Sequence, residues 1–259
     1  MTVKLSKRLQ RIADKVPSFS RLADIGSDHA LLPAYLVQAG IVTWAIAGEV
    51  NPGPLAAAAK QVKESGLTGK IEVREGNGLE VLCSGEVDVI SIAGMGGSLI
   101  ASILEGGQDK LSSVNMLVLQ PNVGEDQVRR WLDRHQWLLE SEDILEEDGK
   151  IYEILTAVPA GSHAKNRSEM LEALYQVRKL GPDKEIGKER QLQMGPYLLQ
   201  EAGEVWHRKW QGELDKLEMI REQLSLSDAD ASKLKAETLR KEIQDIREVL
   251  ALCLQKDKP

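Results

Sequence analysis

The feature that constrains this chain most is an alternation of strand-length and helix-length segments. Leu22–Ile25, Trp44–Ala47, Ile71–Glu75, Val87–Ala93 and Met116–Gln120 are short apolar runs that read as strands. Between them, Ala30–Ala39, Pro54–Ser65, Gly97–Leu104 and Glu125–His135 have helical character, with Pro54 suited to a first turn. Such crossovers bring strands together in parallel, in a sheet covered on both faces. The rhythm then changes. Trp137–Leu145 and Ile151–Val158 are both strand-like, and Glu146-Glu147-Asp148-Gly149 joins them; its Asp-Gly pair is a hairpin signal.

A mostly parallel α/β sheet ending in an antiparallel hairpin is the pattern of Rossmann-like methyltransferase folds, whereas dinucleotide dehydrogenases usually have fully parallel sheets. Pro159-Ala160-Gly161-Ser162 reads as a boundary, giving domains 1–160 and 161–259. Beyond it the chain reads as helical. One short helix carries Leu171, Leu174 and Val177 and breaks at Gly181-Pro182. A long one starts near Gly195-Pro196 and carries Leu199, Val205, Trp206, Trp210, Leu214, Leu217 and Leu224. The last carries Leu234, Leu239, Ile243, Ile246, Leu250 and Leu254 on one stripe. Two amphipathic helices joined by a turn at Ser225–Asp230 predict an antiparallel coiled-coil hairpin.

Polar and glycine-rich segments fall where strands end, which is where ligands bind in open α/β sheets. Asp24-Ile25-Gly26-Ser27-Asp28-His29 ends the first strand. It lacks a second glycine where a pyrophosphate would approach; Asp28 stands there and would repel it. A cofactor with an amine and a sulfonium would tolerate Asp24 and Asp28. The simpler reading is a tight turn with Asp28 capping the next helix. Glu49, followed by Val50, can accept both hydroxyls of a ribose. Asn77 in Gly76-Asn77-Gly78 can read an adenine edge, or simply make an Asn-Gly turn. Ala93-Gly94-Met95-Gly96-Gly97 leaves nearly bare backbone where a substrate would meet a cofactor, or is a loose strand-to-helix loop. Gln120-Pro121-Asn122 can line the far side of the same pocket.

The net charge of −7 argues against a nucleic-acid binder by composition alone, but its distribution matters more. Charges nearly balance after residue 160, so the excess is in the first part. Lys4, Lys7, Arg8 and Arg11 recur at helical spacing as a basic stripe that can hold phosphates, or form a solvated face. Trp206, His207, Arg208, Lys209 and Trp210 can stack on RNA, although tryptophans four apart on a helix are more often core. Cys83 and Cys253 sit in no cluster, which argues against disulfides and against a metal site and fits a cytoplasmic protein. The basic start lacks an apolar run, so no signal peptide is expected, and no segment is long enough to span a membrane.

Taken together, LSKRLQRIAD, ADIGSDHALLP, GEVNPGP, GNGLEVL, SIAGMGG and LQPN resemble the bacterial TrmK family. Its members methylate N1 of the adenine at position 22 of tRNA. The resemblance implies a class I methyltransferase domain with a helical coiled-coil extension, S-adenosyl-L-methionine as cofactor and tRNA as partner. It assigns Asp24 and Gly26 to the methionine part of the cofactor, Glu49 to the ribose and Asn77 to the adenine, with Ser27, Asp28, Val50, Gly78, Ala93 and Gly94 completing the cofactor site. Asp28, Gly94 and Met95 are the catalytic candidates. Lys4, Lys7, Arg8, Arg11, Gln120 and Asn122 are the substrate candidates. Two alternatives stay open: a methyltransferase of small molecules or proteins, and a non-catalytic cofactor-binding module. Self-association through the helical part is also open.

Overall fold

The computed structural model describes residues 3–161, 166–180, 184–227 and 229–256. The chain divides into two compact units, Met1–Leu174 and Tyr175–Pro259.

The first unit opens with a short helix, α1 (Lys7–Ala13), and then alternates: β1 (Ser20–Ile25), α2 (Leu31–Gln38), β2 (Val42–Glu49), α3 (Pro52–Glu64), β3 (Ile71–Glu75), β4 (Val89–Gly96), α4 (Gly97–Gly106), β5 (Met116–Val123) and α5 (Glu125–Arg134). The terminal strands β6 (Trp137–Glu147) and β7 (Lys150–Pro159) follow, and helix α6 (Arg167–Leu174) ends the unit. The division proposed at 160/161 therefore precedes a helix that belongs with the first unit.

One sheet of seven strands runs in the order β3-β2-β1-β4-β5-β7-β6. Strands β1 to β5 pair in parallel, and β7 runs antiparallel between β5 and β6. The central strands are buried on both faces, which is why they read as continuous apolar runs. At the hairpin tip Asp148 (φ 51°) and Gly149 (φ 71°) both take left-handed backbone, as a two-residue turn with the twist of its flanking strands requires.

Helix α5 packs against β6 and α4 and buries Val128, Arg129, Trp131 and Leu132. The Arg129 side chain is fully buried against Glu142 of β6 and Glu153 of β7, both also fully buried. Its Nε donates to Glu142 Oε1 at 2.6 Å, and Nη2 donates to Glu153 Oε2. One cation thus joins a helix to both strands of the hairpin. Helices α4 and α5 meet at their starts because Gly97 has no Cβ; one there would lie 1.9 Å from Gly124 O.

Three expectations need adjustment. β4 starts at Val89 and continues through the glycines to Gly96, with a bulge at Gly94. Residues 28–30 form one 3-10 turn ahead of α2, in which His29 (φ 57°) and Ala30 (φ 49°) are left-handed. Lys4 lies outside the helix expected to carry it, because Ser6 caps α1 by accepting from Leu9 N–H.

The second unit holds a two-residue antiparallel ribbon, β8 (Arg178–Lys179) with β9 (Glu185–Ile186), which the helical reading did not anticipate. Then come α7 (Lys188–Met194), α8 (Leu198–Glu201), α9 (Glu204–Ser225) and α10 (Asp230–Lys256). The long helix expected from Gly195 is thus broken into α8 and α9 at Ala202, whose φ of 44° no α-helix accommodates. Val177 lies outside α6 and is exposed; the break at Gly181-Pro182 lies outside the described residues. Helices α9 and α10 pack as a hairpin. Its core is Trp206, Trp210 and Leu214 against Ile243, Ile246, Val249, Leu250 and Cys253. Leu234 and Leu254, placed on the apolar stripe by spacing, are exposed. Trp206 donates to Met194 O at 3.0 Å and is fully buried, so the two tryptophans are core and not a stacking platform. Arg190 of α7 is held by Glu242 and Asp245 of α10.

Candidate active site

The ends of β1, β2, β3, β4 and β5 surround one cavity of about 780 Å³ at the carboxyl edge of the sheet. Five of the sequence segments converge there. Asp24, Gly26, Asp28, Glu49, Val50, Asn77, Gly78, Ala93, Gly94, Met95 and Asn122 all line it, and so does Arg8 from α1.

Asp24 sits at the end of β1, buried. Its carboxylate accepts from Ser27 Oγ at 2.5 Å and from Ser91 Oγ at 2.7 Å. Ser27 is thereby spent on Asp24 and does not line the cavity. Burial pushes the Asp24 carboxyl above its ordinary range; the two serines and Arg8 oppose this, and Glu49 adds to it. A carboxyl that binds protons more readily when folded gives its full stabilisation below the ordinary aspartate range and loses it as pH rises through the raised value. Asp24→Asn is therefore expected to raise the melting temperature of the cofactor-free protein at pH 7 by roughly 2–4 °C. The difference should shrink as the pH is lowered toward the ordinary aspartate range. A constant difference across that range would exclude Asp24 ionisation as its source.

Gly26 turns the chain at φ +72°, and its N–H donates to Gly48 O at 2.9 Å. A Cβ there would lie 2.1 Å from Met95 Cε, so bare backbone meets the methionine across the floor of the cavity. Glu49 Oε1 accepts from the N–H groups of Val50 (2.9 Å) and Asn51 (3.0 Å). Its other oxygen has no protein partner among the described residues. Nor has the Asn77 amide, which is exposed in the cavity. Asp28 is three-quarters exposed, 3.5 Å from His29 Nε2. It does not cap α2, whose N-cap is Ala30.

The substrate candidates separate. Arg8 Nη1 reaches Gln120 Oε1 at 2.5 Å, and its guanidinium lies over the Tyr152 ring at 5.4 Å. Gln120 is fully buried behind the wall and does not line the cavity. Lys7 and Arg11 line a second groove of about 410 Å³ with Gln10, Asp14, Leu145 and Glu146. Arg11 also pairs with Asp143 at 3.4 Å. Lys4 lines neither cavity. The basic stripe is thus divided between two hollows. Helix α1 is docked by Glu147 of the hairpin, which accepts from the backbone N–H groups of Lys7 (2.6 Å) and Arg8 (3.2 Å). Residues without a sequence signal also line the first cavity, among them Tyr152, Leu99 and Ile103. Tyr152 lies in a strand whose alternation reveals a face but not what lies beyond its end. Among the described residues no group of His, Cys, Asp and Glu side chains forms a metal site, and no helix is long and apolar enough to cross a membrane.

The bare turn at Gly26, the unpartnered Glu49 oxygen and the open Asn77 amide fit a cofactor with an amino-acid part, a ribose and a purine. With the antiparallel β7, they define a Rossmann-like methyltransferase. A family model described as tRNA (adenine(22)-N(1))-methyltransferase, TrmK, matches residues 22–248. The chain is 43% identical over 249 residues to the tRNA (adenine(22)-N(1))-methyltransferase of Bacillus subtilis (strain 168), covering 96% of this chain and 98% of that one. The crystal structure of the B. subtilis m1A22 tRNA methyltransferase TrmK superposes with a TM-score of 0.85 at 42% identity, over 96% of this chain and 99% of that one. A Streptococcus pneumoniae structure in complex with S-adenosyl-L-methionine superposes with a TM-score of 0.77 at 40% identity, over 95% and 100%. The chain belongs to the TrmK family of S-adenosylmethionine-dependent tRNA (adenine-N1)-methyltransferases.

Proposed function

We propose that the cavity at the carboxyl edge of the sheet methylates N1 of adenine 22 in tRNA, with its residues divided between cofactor and base. The observation that carries this reading is the pairing, in one hollow, of the open Glu49 and Asn77 groups with the amide of Asn122. Glu49 accepts from the ribose hydroxyls, Asn77 reads the adenine moiety, and Asp24 and the Gly26 turn take the methionine part. When bound, S-adenosylmethionine supplies a methyl group activated on sulfur.

The chain's own work is mostly positional. N1 of neutral adenine carries an in-plane lone pair, so no residue has to remove a proton before transfer. Orientation supplies most of the rate. The methylated ring is cationic, and acceptors near its amine stabilise the growing charge. Asp28, exposed at the cavity wall, is the acceptor in this reading. Asp28→Asn should then lower kcat on the order of tenfold while leaving cofactor and tRNA affinity nearly unchanged. A variant with full kcat would take Asp28 out of the reaction. N1 is hidden when paired, so the base must be unpaired or turned out of its stack. Lys7 and Arg11, in the neighbouring groove, hold phosphates without reading sequence. The helical unit grips the shape of the tRNA and can also self-associate; the reaction takes place in the cytoplasm.

The test is methyl transfer from labelled S-adenosylmethionine to unmodified bacterial tRNA, followed by nucleoside analysis. Labelled 1-methyladenosine is expected, and it should vanish when adenine 22 is replaced. Cofactor binding without transfer to tRNA would overturn the assignment.

A further inference from the structure

Gln120 lies at the centre of a directional hydrogen-bond chain. Its Oε1 faces two groups that can only donate, Arg8 Nη1 at 2.5 Å and the Gly94 N–H at 3.2 Å. That end of the amide must be oxygen. The other end is therefore the NH₂, which donates to Pro121 O at 2.8 Å and to Asn122 Oδ1 at 3.2 Å. The orientation of Asn122 follows, and its Nδ2 donates to Gly94 O at 2.8 Å. Gln120, fully buried, has then used both N–H groups and both lone pairs. Asn122 is exposed in the cavity and has used one of each, so one lone pair and one N–H remain.

An acceptor beside a donor complements the N6/N7 edge of adenine, which offers a donor and an acceptor. Guanine offers two acceptors on that edge, and its O6 would oppose the Asn122 oxygen. We infer that Arg8, acting through Gln120, orients Asn122 to read the N6/N7 edge of the target base, which selects adenine over guanine and leaves N1 free for the methyl group. The inference rests on the reaction proposed above. Arg8 is then a positioning residue. The Glu147 bond to its backbone and the Tyr152 ring beside its guanidinium hold it where it sets the direction of the chain.

Atomic substitution in the tRNA tests this. With 7-deazaadenosine at the target position, the N7 acceptor becomes C–H. The kcat/KM of the wild-type enzyme should fall on the order of tenfold, and Asn122→Ala should show no further loss between the two tRNAs. Arg8→Met should lower kcat on the order of tenfold, with KM for tRNA changed less than about threefold. Cofactor-free tRNA affinity, read by fluorescence anisotropy, should stay within the same range. Arg8→Lys, which also can only donate, should recover most of the rate. Equal turnover of adenosine and 7-deazaadenosine by the wild type would overturn the inference. So would an Arg8→Met variant with unchanged kcat and a raised, salt-dependent KM, the signature of a phosphate ligand. A wild-type enzyme that forms no 1-methyladenosine on ordinary tRNA would overturn the underlying reaction instead, and the inference with it.

Discussion

Arg129→Met is expected to destabilise the first unit by about 3–5 kcal/mol. The arginine is fully buried between Glu142 and Glu153, and both glutamates are fully buried as well. Removing the cation leaves two carboxylates facing each other away from water. They must either stay charged at high cost or take up protons. Urea titration should show a lower midpoint with little change in slope. The loss should shrink at acid pH, where carboxylates are neutral and the cation is no longer missed. Replacing all three residues, as Arg129→Met with Glu142→Leu and Glu153→Leu, should recover much of the loss, because a well-packed apolar cluster needs no counter-charge. A triple variant no more stable than Arg129→Met would mean that geometry, and not charge, makes this cluster matter.

Gly26→Val should reduce S-adenosylmethionine affinity at least about a hundredfold, or about 2.7 kcal/mol. Two effects combine. A β-branched residue at φ +72° strains the turn, and its Cβ would lie within 2.1 Å of Met95 Cε. They can be separated, because the clash involves the mobile end of a side chain. Gly26→Ala in a Met95→Ala background keeps the backbone strain and removes the clash. It should bind cofactor better than Gly26→Ala alone, and worse than Met95→Ala alone. Titration calorimetry on the cofactor reads all four proteins. Equal affinities for Gly26→Ala with and without Met95 would assign the whole effect to the backbone.

The sequence segments that end strands were legible because an open α/β sheet leaves little choice about where its ligand lies. Asp24, Glu49, Asn77, Gly94 and Asn122 come from five different strand ends and share one cavity. What was not legible falls into two kinds. Ser27 and Gln120 sit within the right segments but turn away from the cavity. Ser27 satisfies a buried carboxylate, and Gln120 satisfies an arginine and a bulged backbone. Spacing gives a residue's address and says nothing of which neighbour claims its hydrogen bonds. Tyr152 and Glu147 illustrate the second kind. They come from the hairpin, a segment read only for topology, and they meet α1, which lies far from it in sequence. In the second unit, the break at Ala202 escaped notice because alanine is an ordinary helix former. No residue preference announces its left-handed φ.

The bond between Glu147 and the start of α1 spans 140 residues of sequence. A helix of seven residues has little stability of its own. On a ribosome, α1 emerges well before the hairpin that docks it. Until Glu147 arrives, the backbone N–H groups of Lys7 and Arg8 lack the acceptor that docks the helix. A nascent chain can thus gather its central strands while the α1 side of its cavity is still undocked. The docking of α1 is therefore complete only once the terminal hairpin of the sheet has been made.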